Sequence, residues 1–407
     1  MIRPDSETQA EPVQPSVPEL PVADRFPVRT WLIAFTGWMF DFYDLVLISF
    51  LLIPIGKELN LTEGQEAVLL GTALGASGIG GIVSGYLSDL VGRKRVLMWT
   101  ICIYSLGTAL TACATGPLTL CLFRFLTGLG VGGEWAVGHT LLAESTPKHF
   151  RGRGSALLQA GEPIGVALAA VVGLLLAPVL GWRLVFLLSS ISAGIAIVAR
   201  RYLPESAVWE TQRDNALSPP AALMMITAYH LWGKLFKAWV LGVLKLGTYW
   251  TCYIWLPKFL QNELQQRRGW TVLWILTAQL GQLLGMMGFG WFADRFGRRR
   301  AFTVYSLVTA AALYPLAFHW HELLVHPLWF WVDLFTLGLG SGCTAGFGAL
   351  LAELFPTQIR TFAMGTAYNC ARGVQFLAPI VVGLVASAYG IAGALAIPLV
   401  LALATAA

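Results

Sequence analysis

Charge is what this chain has least of. Asp, Glu, Lys and Arg supply 12% of its 407 residues, against 56% hydrophobic residues and a mean hydropathy of +0.67. Soluble domains carry about 25% charged residues, so the composition excludes an ordinary water-soluble enzyme and puts most of the chain in lipid. The six cysteines fall in or beside apolar runs and never at CxxC spacing, which argues against disulfides and thiolate metal sites. No Gly-x-x-x-x-Gly-Lys-Ser/Thr loop occurs, so ATP is not the expected energy source. The histidines are scattered. His319, His321 and His326 share one loop, with no framework to hold them as a catalytic or metal set, so neither an enzyme nor a cofactor is expected. A net charge of +5 does not point to nucleic acid, because the basic residues sit in short clusters between apolar runs, where they set topology. A cleavable signal is missing too: residues 1–27 hold six prolines and several acids, and read as a disordered cytoplasmic tail.

What the chain has is long apolar runs. About 20 such residues cross a bilayer, and candidate spans lie at 30–55, 65–88, 96–114, 117–142, 152–178, 183–203, 237–260, 271–293, 301–319, 327–351, 361–387 and 391–406. They form an all-α membrane protein of twelve spans, six in residues 28–203 and six in 237–407, joined by a cytoplasmic linker at 204–236. With the N-terminus inside, eighteen lysines and arginines fall on inner segments and five on outer ones, which sets both termini in the cytoplasm.

One signature occurs twice. Gly85-x-x-x-Asp89-x-x-Gly92-Arg93-Lys94-Arg95 returns as Gly290-x-x-x-Asp294-x-x-Gly297-Arg298-Arg299-Arg300, an offset of 205 residues. Glu144-Ser145-Thr146-Pro147 with Arg151 returns as Glu353-Leu354-Phe355-Pro356 with Arg360, an offset of 209. Two landmarks repeating in one order argue for an internal duplication in parallel orientation. Each aspartate ends a helix, where the dipole disfavours a negative charge, so a nearby arginine such as Arg93 or Arg298 should neutralise it. The eight landmark residues Asp89, Arg93, Glu144, Arg151, Asp294, Arg298, Glu353 and Arg360 are read as a cytoplasmic latch, closed when the halves meet and lost when they part.

These motifs, with Arg124-x-x-x-Gly128-x-Gly130-x-Gly132-Gly133 in the fourth span and Pro204-Glu205-Ser206 after the sixth, resemble the major facilitator superfamily over residues 28–407. The resemblance implies two six-helix bundles around a central cavity that opens alternately to each side. Asp41-Phe42-Tyr43-Asp44, Trp255-Leu256-Pro257, and Tyr368-Asn369 with Arg372 resemble the metabolite–proton symporter branch, whose members carry sialate, monocarboxylates and related organic anions. The Asn-x-x-Ser/Thr-His motif of lactate permeases is absent. Glutamate also interrupts Gly161-Glu162-Pro163, where exporters of the superfamily tend to carry Gly-Pro. An uncharged solute such as a sugar, a drug or metabolite exporter, and a transport-dead sensor are the alternatives.

Eight ionisable residues lie inside the spans: Asp41, Asp44, Arg124, Glu134, Glu162, Lys245, Asp333 and Arg372. Charge inside a bilayer is costly and marks pathways, relays or buried pairs. Asp41 and Asp44, at i and i+3, share a helix face near the midplane. Two carboxylates that close cannot comfortably both ionise, so the pair is expected to bind and release the coupling proton. In the superfamily fold, spans 1, 4, 7 and 10 line the cavity, which would let Lys245 face both acids. Arg372 offers a fork suited to a carboxylate, with Asn369, Tyr368 and Gln375 beside it and Arg124 and Tyr43 as further lining. Arg124 and Glu162 are equally readable as structural braces, and Arg372 as the partner of Glu162. The expected partners are an organic acid, protons and the lipid of a bacterial inner membrane, with no nucleic acid, for a carrier that acts as a monomer.

Overall fold

A computed structural model of the chain describes residues 27–147, 151–201, 205–212, 219–262, 268–355 and 359–407. The expected tail at 1–26 lies outside these, as do the side chains of Arg151 and Arg360. The described residues are helical with short turns between. In the first half run α1 (Val28–Leu59), α2 (Glu63–Val91), α3 (Arg93–Thr111), α4 (Pro117–Ser145), α5 (Arg151–Gln159), α6 (Gly161–Val171), a π-turn at Val172–Leu176, α7 (Ala177–Leu180) and α8 (Trp182–Arg201). Two short helices follow, α9 (Ala207–Gln212) and α10 (Pro219–Ala228). The second half holds α11 (Trp232–Tyr253), α12 (Leu256–Asn262), α13 (Arg268–Phe296), α14 (Arg298–Phe318), α15 (Trp320–Val325), α16 (Pro327–Ser341), a 3₁₀ turn at Gly342–Ala345, α17 (Gly346–Leu354), α18 (Arg360–Val374) and α19 (Leu377–Ala406).

Among the described residues, eight helical segments are long and apolar enough to cross a membrane, with Trp182–Ile191 and Gly393–Ala406 as shorter apolar helices. The expected spans 96–114 and 237–260 correspond to α3 and to α11 with α12. Three basic residues each, Arg93, Lys94 and Arg95 in α3 and Lys234, Lys237 and Lys245 in α11, dilute their apolar character. The linker expected at 204–236 is partly helical, and α11 already begins at Trp232. Its first residues dock on the first half. The Glu205 carboxylate accepts from the backbone N–H groups of Arg93 (3.0 Å) and Lys94 (3.2 Å), capping α3. Trp209 Nε1 donates to the Asp89 carbonyl at 2.9 Å.

Local chemistry sets the helix ends. Thr62 and Gln65 form a reciprocal capping box at the start of α2 (2.9 and 3.3 Å), and Pro117 sits in the first turn of α4. Between α2 and α3 the chain turns at Gly92 (φ 108°), and between α13 and α14 at Gly297 (φ 92°), a backbone region that L side chains avoid. Gly181 (φ 79°) and Gly390 (φ 74°) form another such pair, and Gly390 bends α19 where the spans expected at 361–387 and 391–406 meet. Four turns at matched places give the duplication a physical form.

Packing repeats as well. In the first half α2 lies on α4, and a Cβ on Gly80 or Gly132 would overlap the carbonyls of Leu129 or Ser77. In the second half α13 lies on α16, and a Cβ on Gly285 or Gly338 would overlap the carbonyls of Leu339 or Ala278. Lipid offers no hydrophobic drive between helices, so such backbone approach supplies the van der Waals contact. Gly80→Val and Gly338→Val should each destabilise the protein by about 1–3 kcal/mol, read as a lower unfolding temperature in detergent. A Gly85→Val control, where nothing lies within 4 Å of the added Cβ, should unfold near wild type.

Candidate functional site

All eight ionisable residues of the spans turn away from lipid: none is more than 9% exposed, and Asp41, Arg124, Lys245 and Arg372 are at 0 or 1%. Asp44 and Arg124 form a brace inside the first half, and Asp41, Glu162, Lys245 and Arg372 gather between the halves.

The brace is built on Asp44. Its Oδ2 accepts from Thr108 Oγ1 of α3 at 2.6 Å and lies 3.6 Å from Arg124 Nη1 of α4. Arg124 Nη2 donates to the Asp44 carbonyl at 3.0 Å, and the guanidinium sits 5.8 Å from the Phe186 ring of α8. One ion pair thus ties four helices. Asp41, one turn earlier, lies instead within the electrostatic reach of Arg372 in the other half. The two acids expected to act as a pair therefore have different cationic neighbours.

Arg372 projects from α18 beneath α1, with its guanidinium carbon 5.5 Å from the Phe42 ring and 5.7 Å from the Trp38 ring. Its terminal nitrogens Nη1 and Nη2 have no hydrogen-bond partner among the described residues. Lys245 Nζ on α11 meets no oxygen or nitrogen acceptor among the described residues, and faces the Cys343 thiol of the 3₁₀ turn and Glu162 of α6 rather than the Asp41–Asp44 pair expected. Both amide atoms of Asn369 and of Gln279, and the hydroxyl of Tyr249, are likewise buried and unbonded. A buried polar group left unpaired costs about 1–3 kcal/mol, so Arg372 and Lys245, whose fields both reach Glu162, leave a place that a polar guest would suit. Aromatic rings close its flanks. Trp135 of α4 stacks on Tyr368 of α18 (centroids 3.7 Å, 10°), and Phe42 stacks on Trp250 of α11 (6.1 Å, 17°).

Three residues named from the sequence as lining do not reach the cluster. Tyr43 bonds Ser189 of α8 at 2.6 Å, because its position on α1 faces the first half's own bundle. Gln375 donates to the carbonyls of Val243 (3.2 Å) and Ala371 (3.0 Å), satisfying backbone where α18 ends. Arg124 is committed to Asp44. Sequence reasoning missed Trp38, three residues before Asp41 and so on its face. It also missed Gln279 and Gln282, whose amides inside an apolar span were the available signal. Gln282 Nε2 donates to Glu162 Oε1 at 2.8 Å, across the two halves.

The two signature loops hold matching triads. Arg93 pairs with Asp89 (2.9 Å) and with Glu144 of α4 (3.3 Å), and Ser206 Oγ donates to the same glutamate. Arg298 pairs with Asp294 (3.2 Å) and with Glu353 of α17 (3.0 Å). The sequence reading had these pairs part with the halves, but both partners of each pair belong to one half, so separating the halves leaves them intact. They brace each half's end. A contact that does cross lies at the opposite end: Lys258 Nζ of α12 meets Glu66 Oε2 of α2 at 2.7 Å, with the ammonium 5.1 Å from the Trp255 ring.

Comparison with known proteins places this geometry. Residues 30–288 and 269–407 match the family described as Major Facilitator Superfamily. A probable 4-methylmuconolactone transporter of Cupriavidus pinatubonensis is 33% identical over 378 residues, covering 90% of this chain and 86% of that protein. The sialic acid transporter NanX of Escherichia coli K12 is 32% identical over 365 residues, covering 88% and 87%. Among solved structures, a D-xylose–proton symporter shares the fold with a TM-score of 0.73 at 19% identity, covering 94% of this chain and 97% of that one.

The Glu66–Lys258 pair generates a test. Lys258→Gln should weaken closure at that end, so a cysteine at Ser49, buried on α1 beside Tyr249 and Pro257, should label faster with a membrane-impermeant thiol reagent. Labelling of Ser49→Cys at the same rate with and without Lys258→Gln would show that the pair does not hold the end shut.

Proposed function

This chain belongs to the major facilitator superfamily, and from that membership we propose that it is a secondary active transporter that moves a small organic anion together with a proton. The observation that carries the reading is Arg372: a guanidinium 1% exposed, between the halves, whose two terminal nitrogens have no acceptor among the described residues. A carboxylate is the natural bidentate occupant of that fork. The functions of the relatives, a sialic acid transporter among them, agree with an acidic substrate. An uncharged solute would leave the terminal nitrogens of Arg372 without an ionised acceptor, which disfavours the sugar reading. The xylose symporter is similar in fold alone.

Twelve spans in two six-helix bundles, with both termini in the cytoplasm, rock about the central cluster in this scheme. The substrate carboxylate takes the Arg372 fork, Lys245 and Asn369 meet its other polar groups, and Trp38 and the Trp135–Tyr368 stack hold its carbon frame. Asp41 then loses the cation that favours its ionised form and takes up a proton. Neutralised, the loaded site can face the other side, where loss of the proton restores the Asp41–Arg372 attraction and expels the anion. Asp44, held by Arg124 and Thr108, keeps α1 in register.

Purified protein should be stabilised thermally by organic acids. Arg372→Ala should bind the best of them at least tenfold more weakly, equivalent to about 1.4 kcal/mol. Wild-type affinity in both Arg372→Ala and Lys245→Ala would overturn the anion site. In proteoliposomes, Asp41→Asn should lose accumulation driven by a proton gradient while still exchanging labelled for unlabelled substrate. Accumulation at the wild-type rate, or none lost on adding a protonophore, would refute the coupling.

A further inference from the structure

Glu162 is 2% exposed and stands where both halves meet, yet the scheme above gives it no task. Both of its oxygens accept. Oε1 takes the N–H of Gln282 from α13 at 2.8 Å, and Oε2 takes that of Gln159 from α5 at 3.3 Å. Gln159, having turned its amide nitrogen to Glu162, presents its carbonyl to His139 Nε2 of α4 at 3.1 Å, which places the imidazole proton on Nε2. Ser155 Oγ lies 3.5 Å from His139 Nδ1. Every bond in this chain points its hydrogen toward the carboxylate. The arrangement suits an acceptor-only, ionised Glu162.

The charges around it are unevenly shared between the halves. Glu162 belongs to the first half, and so does the neutral His139 reached through Gln159. The cations whose fields act on it, Lys245 of α11 and Arg372 of α18, belong to the second. So does the donor Gln282. The other titratable groups coupled to it are Tyr249 and Tyr253 of α11, Tyr368 of α18 and Cys343 of the 3₁₀ turn. All of these are neutral in their ordinary forms. Ionised Glu162 therefore draws the second half toward the first by two Coulombic attractions and one charge-assisted hydrogen bond. Adding a proton removes both attractions and leaves at most a neutral bond, roughly half as strong.

We propose that Glu162 is a second protonatable group of this carrier, an electrostatic tie between α6 and the second half that protonation loosens. The proposal rests on the proton-coupled reading and extends it: Asp41 governs the substrate's counter-charge, and Glu162 governs how firmly the halves hold together. The ionised form favours the closed interface, so closure should increase as pH rises and decrease as pH falls. A substrate carboxylate bound by Arg372 and Lys245 would compete for the same cations and loosen the tie in the same direction.

The test needs no substrate, so it stands apart from the fate of the anion site. Spin labels are placed at Leu157→Cys on α5 and Met287→Cys on α13, which are 44% and 64% exposed, with Cys102, Cys113, Cys121 and Cys370 replaced. The full-length protein is reconstituted in lipid, and label distances are measured by pulsed electron resonance at mildly acidic and mildly alkaline pH. The expected result is a longer-distance population at acidic pH that shrinks at alkaline pH. Glu162→Gln, an uncharged isostere, should show the longer distance at both. Gln282→Leu should lengthen the distance at alkaline pH while keeping part of the pH response. A pH shift in Glu162→Gln equal to that of wild type, or no shift in wild type, would overturn the proposal. So would a response abolished by Asp41→Asn and kept by Glu162→Gln, because it would assign the sensing to Asp41.

Discussion

The cost of holding charge away from water is the constraint on which this structure turns. Each ionisable residue in the spans must find an opposite charge, a ring face or a hydrogen bond inside the bundle, because lipid offers none. Asp44 and Arg124 answer it with each other and with Thr108, and the result is a brace across four helices. Arg372 and Lys245 answer it only in part, with aromatic faces and distant acids. The contrast separates scaffold from site: where the chain satisfies its own charges it fixes structure, and where it leaves them unfinished it leaves room for a guest.

The halves share architecture but not chemistry. Matched glycine turns, matched helix–helix approaches and matched Asp–Arg–Glu triads run through both. The charges that the halves bring to their interface differ in sign. Asp41 and Glu162 lie on the first half, and Lys245 and Arg372 on the second. A duplicated frame thus carries a polarised interface, and the attraction across it can be tuned by protons and anions in ways that apolar packing cannot.

Much of this was legible in the residues. Apolar runs marked the spans, and the glycine–arginine loops marked the two ends where the triads form. The rarity of buried charge marked Asp41, Lys245 and Arg372. Direction around a helix was the harder part. Tyr43 and Gln375 sit within a few residues of the cluster in sequence, but helical twist turns one toward α8 and the other onto backbone. Gln282 and the Glu66–Lys258 pair depend on which helices of opposite halves touch, which no spacing within a single helix encodes. The motif named Arg93 as a partner for Asp89, and the structure pairs them; the motif does not encode that Glu144 of the same half joins them.

The capping of α3 by Glu205 and the hold of Trp209 on the Asp89 carbonyl bear on leverage. The near end of the connecting segment is fastened to the first half, so it moves with that half as part of one solid piece. In the proposed rocking of the halves, the give in the connection would therefore lie beyond Trp209, nearer to α11 than to α3.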